Sequence, residues 1–125
     1  MLNTRREFIT AALSLALAGC LPHSQSIPED DSDLVTISII NHHRLDVTIF
    51  NVAHGHRDRL GQVTAASNGQ FTLHLRRVVG NEVQLYADAI GSPETVRAEA
   101  LTLSPGDVLE WTLETELNRS HVAIR

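Results

Sequence analysis

No lysine occurs anywhere in these 125 residues. That removes Schiff-base chemistry and the lysine of a phosphate-binding loop. There is one cysteine, Cys20, so the rest of the chain has no disulfide, no cysteine-based metal site and no thiol nucleophile. No apolar run approaches the roughly 20 residues that a membrane-spanning helix needs. No Gly-x-Ser-x-Gly stretch is present, so the nucleophile elbow of a serine hydrolase is missing. Basic charge is also in short supply. Formal net charge is −5; Arg5, Arg6 and Glu7 carry +1 between them, which leaves −6 on the remainder. An acidic domain is a poor partner for nucleic acid, where affinity comes largely from neutralising phosphates. We expect no nucleic-acid partner.

What is present begins with Thr4-Arg5-Arg6-Glu7-Phe8-Ile9 and an apolar segment of about ten residues, too short to span a bilayer. A basic start, a short apolar run and small residues at its end make a secretory signal. The segment resembles twin-arginine signals, in which Ser/Thr-Arg-Arg-x-Phe precedes apolar residues: Thr4, Arg5, Arg6 and Phe8 match. Thr10 stands where a basic residue often follows, which keeps the general secretory route open as the alternative. Leu17-Ala18-Gly19-Cys20 resembles the bacterial lipoprotein cleavage box. The resemblance implies that residues 1–19 are removed and that Cys20 is acylated and becomes the first mature residue. Acyl chains contribute about 0.8 kcal/mol per buried methylene, so several of them hold firmly. The implied partner is a membrane, through lipidated Cys20. Leu21 follows, where an aspartate would suggest inner-membrane retention; the expected place is the outer membrane, facing the periplasm.

Residues 20–33 read as a polar, acidic tether. Pro22, Pro28, three serines and Glu29, Asp30, Asp31 and Asp33 cannot bury a core. A flexible chain of about 13 residues reaches roughly 20 Å. The acidic group lacks the glycine and distal glutamate of a calcium loop, so a solvated spacer is expected.

From Leu34 the pattern changes to short alternating runs, and residues 34–125 read as one domain. Val35, Ile37 and Ile39 share one parity. So do Phe71, Leu73 and Leu75; Val83, Leu85, Ala87 and Ala89; and Leu109, Trp111 and Leu113. Val47 and Ile49 sit on one face of their run while Phe50 and Val52 sit on the other, which predicts a strand covered on both faces. The parity change across Gly61 predicts a bulge, and a second irregularity is expected near Ala100. Turn residues separate the runs: His54-Gly55, Ser67-Asn68-Gly69, Gly91-Ser92-Pro93 and Ser104-Pro105-Gly106-Asp107. The prediction is all-β: an antiparallel, immunoglobulin-like or Greek-key β-sandwich of about seven or eight strands.

Arg59-Leu60-Gly61-Gln62-Val63, Ala87-Asp88-Ala89-Ile90-Gly91-Ser92, Ser104-Pro105-Gly106 and Trp111-Thr112-Leu113 together resemble a group of small uncharacterised bacterial envelope lipoproteins with one β-sandwich. The resemblance spans Leu34 to Arg125. It implies location and architecture, and brings no activity or functional residues.

Seven histidines are many for this length. His42-His43 and His54/His56 lie at opposite ends of a strand, some 30 Å apart at roughly 3.4 Å per residue, and cannot form one site. His54, His56 and His74 can meet if the strands through Arg57 and His74 form a hairpin, with Asp58 as the fourth ligand of a nitrogen-rich metal site. Loop histidines exposed to solvent are the simpler expectation, so no metal and no cofactor is expected. Glu114 and Glu116 read as a solvated strand face rather than a paired-carboxylate centre. Trp111 is expected in the core and Tyr86 on the polar face. Arg76-Arg77 reads as a solvated strand end. The expected function is a non-enzymatic, lipid-anchored binding or assembly module with an envelope protein as possible partner; the alternative is a metal-handling lipoprotein using the surface histidines.

Overall fold

The computed structural model describes residues 31–125 and Gly19. Arg5, Arg6, Phe8 and Cys20, on which the export and anchoring expectations rest, lie outside the described residues, as does most of the tether.

Ten strands form among the described residues. They are β1 (Leu34–Asn41), β2 (Val47–Ala53), β3 (His56–Val63), β4 (Asn68–His74), β5 (Glu82–Val83), β6 (Leu85–Ala89), β7 (Thr95–Arg97), β8 (Leu101–Thr102), β9 (Val108–Leu113) and β10 (His121–Ile124). Two four-stranded sheets, ordered β10-β9-β1-β4 and β3-β2-β6-β7, make a β-sandwich, with β5 and β8 as a small separate pair. The alternating residues meet as expected. Val35, Ile37, Ile39, Leu109, Trp111 and Leu113 point inward from the first sheet, and Val47, Ile49, Leu85, Ala87 and Ala89 from the second. Trp111 is 1% exposed.

One expectation needs correcting. The sheets are not wholly antiparallel, because β1 pairs in parallel with β9 while pairing antiparallel with β4. Both irregularities are present. Ile49 faces Gly61 and Phe50 faces Arg59, so Leu60 is the extra residue of a bulge. After Arg97 the chain leaves the second sheet, and Leu101 pairs with Val83 instead.

The bulged strand has a packing role. A Cβ on Gly61 would sit 2.4 Å from Phe71 Cε1, and one on Gly69 would sit 2.6 Å from Val63 Cγ2. Edge strands β3 and β4 therefore interlock across the sandwich, ring on glycine and methyl on glycine. This overturns the expected hairpin across Ser67-Asn68-Gly69, for β3 and β4 belong to different sheets.

The first described turn also differs from expectation. Asp31–Asp33 form a single 3-10 turn rather than free spacer. Asp33 Oδ1 lies 3.0 Å from His74 Nδ1, and Asp33 Oδ2 accepts the Arg76 amide at 3.1 Å. These bonds pin the start of the domain to the end of the sandwich that holds the His54-Gly55 turn. We call this end the near pole. The far pole holds the loops 42–46, 64–67, 90–94 and 114–120.

Candidate functional site

Directly registered residues of an antiparallel pair point to the same side of the sheet. On the outer side of the second sheet, register therefore sets Arg59, Phe50, Tyr86 and Arg97 in one row across β3, β2, β6 and β7. Arg57 and Val52 form the next row toward the near pole. Phe50 and Tyr86 tilt against each other at 59° with ring centroids 6.0 Å apart, and both stay half-buried. This is where the doubled apolar pattern of β2 leads: its second apolar parity becomes an open aromatic surface.

Arg57 starts on β3 yet carries its guanidinium two strands over, with Cζ 4.3 Å from the centre of the Tyr86 ring. Tyr86 is the registered partner of Arg97. Two arginines from opposite edges of the sheet thus converge on one tyrosine. A cation held over a tyrosine face gains roughly 0.5–1 kcal/mol at an exposed site, which favours this pose over free rotation. Among the described residues, Arg57, Arg59 and Arg97 form no ion pair, whereas Arg44, Arg76 and Arg125 each face a carboxylate. Two acids share the neighbourhood, Asp88 on the same face and Glu82 beside it, and neither pairs with these arginines.

Toward the near pole the face deepens into a cleft of about 470 Å³. Val52 and Gln84 line it together with Arg57 and Arg97; the 53–55 turn and the 79–82 segment complete the lining. His54 and Gly55 have φ of 49° and 79°, the left-handed pair of a two-residue hairpin turn closed by Ala53 and His56. Histidine is among the residues that tolerate that conformation better than most. His54 is thus explained by its turn.

The other singled-out residues are dispersed. His54 and His56 are exposed at their turn. His74 reaches the same pole on the opposite sheet, where it is mostly buried against Asp33 rather than pointing freely outward. No group of three or more His, Cys, Asp or Glu side chains among the described residues is arranged to hold a metal. Arg76 faces Asp33 at 3.7 Å. Glu114 stands 3.5 Å from His42 and 4.0 Å from His121 at the far pole, while Glu116 is exposed. Ser92 is occupied in its turn, where its hydroxyl accepts the Glu94 amide hydrogen.

Sequence reasoning missed Arg57, Arg59 and Arg97. The usable signal was the pair of arginines at alternate positions on β3, opposite the second apolar parity of β2. It also missed His43, which is wholly buried.

No protein-family model matches this chain, and no curated protein matches it. A solved structure described as the "NMR structure of the protein from Eubacterium rectale" is similar at 15% sequence identity and a TM-score of 0.49, covering 77% of this chain and 92% of that one.

Proposed function

We propose that this chain is a non-enzymatic binding or assembly module of the bacterial cell envelope, anchored in a membrane by acylated Cys20. The observation that carries the binding role is the outer face of the second sheet. Three arginines without carboxylate partners among the described residues surround a half-buried aromatic pair, on a domain whose overall charge is acidic. Such a surface has no evident use within the fold. Aromatic and arginine side chains together are the residue types that dominate binding hot spots.

The anchoring role is supported by the signal-like N-terminus and its Leu17-Ala18-Gly19-Cys20 box. The Asp33 bonds fix which end of the sandwich the preceding chain leaves from. In this reading the near pole faces the membrane, which we take to be the outer membrane seen from the periplasm. The resemblance to small envelope lipoproteins fits the same picture.

Two measurements test the two halves. Metabolic labelling with a fatty-acid analogue is expected to label the wild-type chain and not Cys20→Ser, which leaves the membrane fraction still folded. An unlabelled wild-type chain would sink the anchor. Affinity capture from envelope extracts is expected to return a partner that Arg57→Gln and Arg97→Gln both lose. Capture indifferent to both substitutions would place the binding surface elsewhere.

A further inference from the structure

We propose that the cleft between Arg57 and Arg97 binds a phosphodiester group; this rests on reading the arginine face as the binding surface. The lining sets the ligand's chemistry. Two guanidinium groups approach from opposite edges of the sheet, and neither has a carboxylate partner among the described residues. One arginine fork already satisfies the two oxygens of a planar carboxylate. A phosphate group is tetrahedral and offers its oxygens in more than one direction, so it suits two forks arriving from different sides.

Charge chooses among phosphates. Glu82 and His54 share the lining; with the histidine counted as neutral, Arg57, Arg97 and Glu82 together carry one net positive charge. A phosphodiester carries one negative charge and matches it. A phosphomonoester, with close to two at neutral pH, is left partly unneutralised beside Glu82. Arg57 is held ready by its seat on Tyr86, so binding forfeits less side-chain freedom there.

Size agrees as well, since about 470 Å³ falls within the range of small-molecule sites, roughly 300–1,000 Å³. Val79 lies on the lining and is 68% exposed, which offers an apolar contact next to the charged one. A glycerophosphodiester has this composition. It occurs both as a lipid headgroup and as a soluble compound, and the cleft chemistry is shared between them.

The test uses the full chain carrying Cys20→Ser, so that acylation does not dominate membrane binding. Glycerophosphoglycerol is titrated while the side-chain N–H resonances of the arginines are followed by NMR. Vesicles of phosphatidylcholine, with and without phosphatidylglycerol, are assayed by co-flotation. Saturable shifts at Arg57 and Arg97 are expected. Arg57→Gln or Arg97→Gln is expected to weaken binding about tenfold, as for the loss of one charge-assisted fork. Arg119→Gln, at the far pole, is expected to have no effect.

Binding of the soluble compound alone assigns a soluble ligand; phosphatidylglycerol-dependent flotation that both cleft variants lose assigns the headgroup. Either supports the proposal. Equal shifts with glucuronate, or tighter binding of glycerol 3-phosphate, overturn the phosphodiester assignment while leaving the face a binding surface. No shift and no flotation, with partner capture still lost in both variants, does the same. No shift, no flotation and capture indifferent to the variants overturn both readings.

Discussion

His43 Nε2 lies 2.7 Å from Glu94 Oε2 while His43 Nδ1 accepts the Leu45 amide hydrogen at 3.1 Å. The second bond settles the tautomer. A nitrogen that accepts a hydrogen bond carries no proton, so the proton sits on Nε2 and is donated to Glu94. The ring is fully buried, and its own amide donates to Asn41 Oδ1 at 2.9 Å. Asn41 in turn donates to the carbonyls of Leu45 and Thr64, each at 3.1 Å. One histidine and one asparagine thus tie together the 42–46, 64–67 and 90–94 loops of the far pole.

Glu94→Ala is expected to destabilise the domain by about 1–3 kcal/mol, because it strands the buried Nε2–H of His43 without an acceptor. Chemical denaturation measures the loss. Long-range nitrogen–proton NMR of the wild type should show the Nε2–H tautomer, and the other tautomer would contradict the network.

The Asp33 carboxyl is held below the usual carboxylate range by its hydrogen bond from His74, aided by the Arg76 amide and the Arg76 charge, against a smaller opposing cost of desolvation. A depressed carboxyl stabilises the fold fully above its unfolded value, about 3.9. That stability is lost as pH falls through the lowered folded value. Acid unfolding of Asp33→Asn should therefore lack a pH-dependent component that the wild type shows below that point. Identical acid profiles would refute the linkage.

Trp111→Ala should cost about 3–5 kcal/mol, the range for a buried aromatic cut to alanine. Trp111 is 1% exposed and registers with Ile39 on β1 and Val122 on β10. The wild-type emission maximum should be that of a buried indole. Emission typical of a solvent-exposed indole would contradict the placement.

Gly61→Val is expected to destabilise by about 1–3 kcal/mol through overpacking, because any Cβ there collides with the Phe71 ring. Pairing it with Phe71→Ala should relieve part of that collision. A double mutant whose two losses simply add would show that the interlock of β3 and β4 is absent.

The oxygen Oδ1 of Asn51 is buried and has no hydrogen-bond partner among the described residues. Asn51 shares the inward parity of Val47 and Ile49 on β2. Asn51→Leu should raise stability by about 1 kcal/mol, since it removes an uncompensated polar atom from the core. A loss of stability instead would mean that the oxygen has a partner in solution.

Period-two alternation is a local code, and residue by residue it determined which side chains point inward. Ile37, Leu85 and Trp111 were assigned correctly on parity alone. The bulge at Gly61 and the break near Ala100 were visible as slips in the same code. Alternation says nothing of which strand lies alongside, because every backbone offers the same N–H and C=O groups to any neighbour. The parallel pairing of β1 with β9 was therefore decided by tertiary structure, as was the separation of β3 from β4. So was the fate of the polar residues. His43 became a buried strut and Asp33 a clasp only because Glu94 and His74, 51 and 41 residues away, arrived beside them. Arg57 and Arg97 converge on Tyr86 for the same reason. Sheet register sets Arg97 opposite Tyr86, and the long side chain of Arg57 reaches the same ring from two strands away.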